Sequence, residues 1–113
     1  MSADCLFCRI AAGQLPATVV HETGDTLAFR DINPRAPTHI LVIPRRHIQS
    51  VAHLAPEDEA LAGRLLLVAA EIARREGVAD RGYRVVSNIG EWGGQSVGHL
   101  HLHLMSEIGR AHV

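Results

Sequence analysis

The chain has no apolar run of bilayer length, no basic segment followed by an apolar one at its start, and no block of like charge. The first two absences argue against a membrane span or a secretory signal and predict a cytoplasmic protein. The third argues against a broad electrostatic grip on nucleic acid or an anionic membrane. Net charge is −1 with histidines neutral, and Arg45-Arg46 is too short to count as a basic patch. Repeats, linkers and low-complexity stretches are also missing, so 113 residues at 47% apolar content are expected to make one domain with its own core. Cysteine is limited to Cys5 and Cys8. That pair is too sparse for a disulfide framework, and its Cys-x-x-Cys spacing favours metal ligation or redox chemistry, with two reduced thiols as the plain alternative.

The pattern that remains is α+β. Cys5 to Ala12 predicts a short helix stopped at Gly13 and before Pro16. Thr18 to Glu22, Thr26 to Asp31 and His39 to Ile43 are β-branched or alternating runs separated by Gly24-Asp25 and by the Pro34 to Pro37 turn, and they read as a meander. From Pro56 to Glu76 the residues Leu61, Leu65, Val68 and Ile72, flanked by Ala62, Leu66, Ala69 and Ala73, recur at helical spacing. Pro56 suits the first turn, Glu57 to Glu59 complement the positive end of the helix dipole, and Arg74-Arg75 followed by Gly77 mark the other end. Tyr83 to Asn88 and the run beginning at His99 complete five strands, with a glycine-rich loop from Gly90 to Gly98 between them.

Chemistry is concentrated in His99-Leu100-His101-Leu102-His103-Leu104. On a strand, side chains alternate between faces, so the imidazoles should form one row while the leucines pack against the helix. The loop before it, Asn88 and then Gly93-Gly94-Gln95-Ser96, brings small residues and backbone amides beside that row. Alone, such a loop is an ordinary hairpin connection. Beside histidines it suits a phosphate, because a neutral imidazole, with an ordinary pKa near 6.5, can attack phosphorus while a protonated neighbour balances anionic charge. The row fits nucleotidyl or phosphoryl transfer. His21 and His53 have no motif context and are expected at the surface.

These residues resemble the histidine triad (HIT) superfamily, whose signature is His-φ-His-φ-His-φ-φ with φ apolar; the first six places are met. Asp31-Ile32-Asn33-Pro34-Arg35-Ala36-Pro37-Thr38-His39-Ile40-Leu41-Val42-Ile43-Pro44 and Gly93-Gly94-Gln95-Ser96-Val97 are similar to two further stretches of its Hint branch, the purine nucleoside phosphoramidases. The resemblance spans Cys5 to Met105. It implies a five-stranded antiparallel sheet with one long and one short helix, pairing into a homodimer. It also implies hydrolysis of purine nucleoside 5′-phosphoramidates, AMP-linked amines above all, through a covalent nucleotidyl-histidine. By the same resemblance His101 is the nucleophile, oriented by the main-chain carbonyl of the first triad histidine, and Ser96 lies near the leaving nitrogen. His103, Asn88, Gly94 and Ser96 contact the phosphate, with Gln95 and Val97 beside them. His39 is given an orienting role, Asp31 accepts from the ribose hydroxyls, and Leu6, Phe7, Ile10, Phe29 and Ile32 enclose the base.

Relatives that keep the cysteine pair resemble a zinc-binding bacterial-type subgroup, which implies Cys5, Cys8, His47 and His99 as ligands of a structural zinc; no organic cofactor is implied. After the triad the family pattern continues with Gly-Gly-Arg and a tail reaching toward the partner subunit, whereas this chain reads Ser106 to Val113. A back-translation of Glu107 to Val113 matches a common sequencing-library adapter, so residues 4–106 are expected to be the HIT domain and 107–113 a non-native tail. Other outcomes are a dinucleoside polyphosphate hydrolase, against which Gln95-Ser96 speaks, a nucleotidyltransferase, against which Leu100 speaks, and a nucleotide-binding regulator or adaptor with vestigial catalysis.

Overall fold

A computed structural model describes residues 4–108. The chain runs α1 (Leu6–Ala11), β1 (Val19–Glu22), β2 (Thr26–Arg30), β3 (Thr38–Pro44), α2 (Glu59–Arg75), β4 (Arg84–Val86) and β5 (Leu102–Ser106). The strands form one antiparallel sheet in the order β1-β2-β3-β5-β4. No helix among the described residues is long and apolar enough to cross a membrane. The part of the expected foreign tail from residue 109 onward lies outside the described residues.

Alternation along the strands sorts the core into two layers. Ala28, Ile40, Val42, Leu102 and Leu104 face α2, where they meet its buried stripe of Leu65, Val68, Ala69, Ile72 and Ala73. Leu27, Phe29, Leu41 and Ile43 point to the other face and gather under Phe7 of α1. The apolar stripe on α2 follows the expected helical period, except that Leu66 turns outward and is 58% exposed. The helix begins later than expected because Pro56–Asp58 forms a separate 3-10 turn. There the Asp58 carboxylate accepts the Ala55 N–H and pairs with Arg46, which anchors the segment leaving β3.

The histidine run departs most from expectation. Its ladder begins only at Leu102, so His99 and His101 precede the strand rather than continuing it. Their backbone groups find partners in loops: the Leu100 N–H donates to the Ile48 carbonyl at 2.6 Å, and the Ser87 hydroxyl donates to the His101 carbonyl at 2.8 Å. With that stretch diverted, β4 also shortens, from the expected Tyr83–Asn88 to Arg84–Val86. The other elements begin or end within a residue of their expected limits.

Leu104 is fully buried between sheet and helix, whereas Leu66 is exposed. Leu104→Ala should therefore cost about 2–5 kcal/mol in urea unfolding, and Leu66→Ala less than about 0.5 kcal/mol. Equal costs would contradict this division of the helix.

Candidate active site

Three imidazoles on the α1 side of the sheet have their protons assigned by the backbone. The His101 Nδ1–H donates to the His99 carbonyl at 2.7 Å, which leaves Nε2 of the neutral ring as a lone pair. The His99 ring donates Nε2–H to the Pro44 carbonyl at 2.9 Å, which leaves its Nδ1 open. At His39 the polarity reverses: Nδ1 accepts the Arg35 N–H at 3.0 Å, so Nε2 carries the proton and donates it to His103 Nδ1 at 2.9 Å. His103 in turn presents Nε2–H as a donor. Asp31 Oδ2 lies 3.4 Å from His39 Nε2, while its Oδ1 accepts the Asn33 N–H at 2.8 Å and fixes the carboxylate in the turn after β2.

Burial holds His103 neutral. Desolvation, reinforced by the neighbouring His101 and His39 rings, pushes its pKa down to about 4 against the opposing pull of Asp31. Burial likewise lowers His39. The His101 ring is 3% exposed, packed edge-to-face against Phe7 at 5.1 Å and against His103 at 4.9 Å. An imidazole with one free nitrogen thus stands beside a neutral hydrogen-bond donor, an arrangement suited to attack on a tetrahedral anion.

Next to this pair opens a cavity of about 390 Å³, large enough for a nucleoside. Leu6, Phe7, Ile10, Phe29 and Ile32 line it, with Asp31, Ser96, Val97, His101 and His103. Ile32 lies at the mouth, 88% exposed, rather than within the wall. Leu15, Pro16, Ala17 and Leu41 also line the cavity. The first three follow α1 in a segment with no helix or strand pattern, so nothing in the sequence singled them out.

The glycine-rich loop is braced by its own side chains. Gln95 Oε1 accepts the Gly90 N–H, and its Nε2 donates to the carbonyls of Gln49 and Val97. Its amide therefore shapes the loop. Asn88 donates Nδ2–H to the Gly93 carbonyl at 2.8 Å and lines a second cavity on the far side of His103. Gly94 adopts φ +79°, a left-handed conformation that disfavours a side chain, and a Cβ there would meet the Asn88 amide at 3.9 Å. His53 is exposed as expected; His21 is half-buried and accepts from Arg75.

Cys5, Cys8, His47 and His99 form a separate cluster that could hold a metal ion, their donor atoms all within 4.8 Å of one another. Cys5 caps α1, its sulfur accepting the Cys8 N–H at 3.3 Å, and one helical turn puts both sulfurs on the same side. Cys5 Sγ and Cys8 Sγ stand 3.3 and 3.5 Å from His99 Nδ1, and Cys8 Sγ stands 3.3 Å from His47 Nδ1. Tetrahedral zinc with ordinary bond lengths separates sulfur from nitrogen by about 3.5 Å. The donor set fits, and the Pro44 carbonyl orients His99 as an outer partner orients a metal-bound imidazole. His47 is delivered by the Arg46–Asp58 pair before it and the Ile48–Leu100 hydrogen bond after it.

This fold has known counterparts. Residues 12–109 match the HIT domain. The chain is 48% identical over 102 residues to Protein HitA of Neisseria gonorrhoeae, covering 90% of this chain and 94% of that one. It is 43% identical over 105 residues to the purine nucleoside phosphoramidase of Escherichia coli K12, covering 93% and 88%. Among solved structures, the HIT family hydrolase of Legionella pneumophila Philadelphia 1 superposes with a TM-score of 0.90 at 48% identity, covering 92% of this chain and 93% of that one. The chain belongs to the HIT domain family.

The lowered pKa of His103 has a consequence for stability. Between pH 6.5 and about 4 the unfolded chain binds a proton at this position that the folded chain refuses, so stability falls as pH drops through that window. His103→Gln should shrink the difference between urea midpoints at pH 7 and pH 5. An unchanged difference would place the titration elsewhere.

Proposed function

We propose that the chain hydrolyses purine nucleoside 5′-phosphoramidates, AMP-linked amines by preference, through a covalent nucleotidyl-histidine. The observation that carries this reading is the His101 Nδ1–H to His99 carbonyl bond, which points a free Nε2 toward the cavity that Asp31 and the apolar wall make suitable for a nucleoside. The likeness to a purine nucleoside phosphoramidase over nearly the whole chain supports it. His101 Nε2 would attack the α-phosphorus as the phosphorus–nitrogen bond breaks, and the departing nitrogen takes up a proton and leaves as the amine. Water then cleaves the phosphorus–histidine bond, releasing a nucleoside monophosphate and returning a proton to solvent. His103 Nε2–H, Ser96 and the amides near Gly94 would stabilise the extra negative charge on the phosphoryl oxygens, Ser96 standing closest to the leaving nitrogen. Asp31 would receive the ribose hydroxyls, and His39 would hold the donor face of His103.

Cys5, Cys8, His47 and His99 would carry a structural zinc. Four protein ligands close its shell, so when bound it supplies a crosslink between α1 and the end of β3 and no chemistry of its own. A reducing cytoplasm would keep both thiols available. For the homodimer, the support is the open edge of β4 with Val85 exposed, together with Leu66 and Leu67 exposed on α2.

Incubation with adenosine 5′-phosphoramidate should release AMP, and mass spectrometry of the quenched enzyme should find an adenylyl adduct on His101. His101→Ala should lower the rate by at least about 1,000-fold and abolish the adduct. Tight AMP binding without release would favour the regulatory alternative, and turnover of diadenosine polyphosphate in its place would favour the dinucleotide hydrolase.

Elemental analysis should find one zinc per chain, and Cys8→Ser should lose it on dialysis along with several degrees of thermal stability. Retention of stoichiometric zinc by Cys8→Ser would rule out this ligand set.

A further inference from the structure

Cys5 and Cys8 are one turn of α1 apart, and the two residues between them, Leu6 and Phe7, both line the larger cavity beside His101. The two sulfurs lie within 4.8 Å of each other on the same side of that turn. Cys5 is partly exposed, whereas Cys8 is only 2% exposed. Both sulfurs stand against His99 Nδ1, and the Cys8 sulfur also stands against His47 Nδ1. One member of this dithiol is therefore open to a small reagent from solvent. The other needs only side-chain rotation to reach bonding distance.

We propose that this dithiol is an oxidative modification site, taken to a Cys5–Cys8 disulfide by a hydroperoxide, and that oxidation loosens the cavity wall formed by Leu6 and Phe7. The Cys5 sulfur attacks one peroxide oxygen, the O–O bond breaks, and water leaves with Cys5 as a sulfenic acid. The Cys8 sulfur then attacks the Cys5 sulfur and expels its hydroxyl as a second water. Two electrons pass from the two sulfurs to the peroxide, and two protons come from the thiols or, where a metal has displaced them, from solvent. A metal held by the cluster keeps only His47 and His99, too few for a closed tetrahedral shell, and is released. The inference goes beyond the structural zinc reading and rests on it only for that ejected ion. His99 stays clasped by the Pro44 carbonyl, so the bond from His101 Nδ1–H to the His99 carbonyl survives. What is lost is the tie between α1 and the end of β3, and the loss reaches the cavity through Leu6 and Phe7. Oxidation thus weakens binding in the cavity and spares the orientation of the His101 ring.

The zinc-loaded chain, treated with about one equivalent of hydrogen peroxide, should release its zinc to a colorimetric chelator and lose about 2 Da. Dithiothreitol with added zinc should reverse both changes, and digestion should place the bond between Cys5 and Cys8. In Cys8→Ser the sulfenic acid on Cys5 has no thiol to meet and should be trapped by dimedone, whereas Cys5→Ser, with Cys8 buried, should resist trapping. Should either serine variant fail to fold, the wild-type mass still decides. AMP binding by calorimetry should weaken by at least about fivefold on oxidation and return on reduction. Survival of both thiols and of the zinc in excess peroxide would overturn the site, as would a gain of about 16 Da at methionine alone or a disulfide between two chains. Oxidation with unchanged AMP affinity would overturn its control of the cavity. If the reduced chain binds no AMP, the nucleotide reading fails by itself while mass and zinc release still decide the modification. If the purified chain holds no zinc, the zinc reading fails and the loss of about 2 Da decides alone.

Discussion

Much of this molecule depends on one 2.7 Å hydrogen bond, from His101 Nδ1–H to the main-chain carbonyl of His99. It fixes which nitrogen of a buried imidazole is left with a lone pair, and it does so with a backbone group whose place is over-determined. The His99 ring is fully buried, clasped by the Pro44 carbonyl on one edge and facing two thiols on the other. The next residue is tied to Ile48 through its N–H and packed into the helix-side core through its side chain. One short stretch of chain thus joins the metal-type cluster, the His101 ring proposed to attack, and the core.

Phe7 provides a second route between the same parts. It lies between Cys5 and Cys8 in sequence, and its ring contacts Phe29, His99 and His101. Displacing α1 would loosen the wall of the larger cavity beside His101 and the packing of the His101 ring together. A cluster outside the cavity can therefore set the position of the His101 ring through geometry alone, and a small misplacement of a reacting group is costly.

The elements and their order were legible because hydrophobic periodicity is strong: α2 shows its stripe at helical spacing, β2 and β3 each give their two faces to different clusters, and β5 gives its leucines to the helix side. The residues of the cysteine–histidine cluster were named by the family resemblance rather than by spacing, and the structure brings Cys5, Cys8, His47 and His99 together. What eluded sequence is how side-chain groups are partitioned locally. Alternation predicts one continuous strand through His99, but the backbone of Leu100 and His101 is claimed by Ile48 and Ser87, which lie far away in sequence. Gln95 and Asn88 were named as ligand contacts by the resemblance, and sequence did not show that their amides also brace the loop. Arg35 reads as a turn residue between prolines. Its main-chain donor and its charge acquire meaning only once β3 brings His39 beside it.

Asp31, His39 and His103 put two imidazoles and a carboxylate within 4.8 Å of one another, by composition as good a metal trap as the cysteine cluster. The Arg35 N–H settles their different use. Coordination through His39 Nε2 would require its proton to move to Nδ1, where it would meet another N–H head-on. Ligands alone do not make a metal site; the lone pairs must be free to converge. A single main-chain donor thus keeps the proton on His39 Nε2 and that nitrogen out of any coordination, while the cluster one strand-end away keeps its donor atoms convergent.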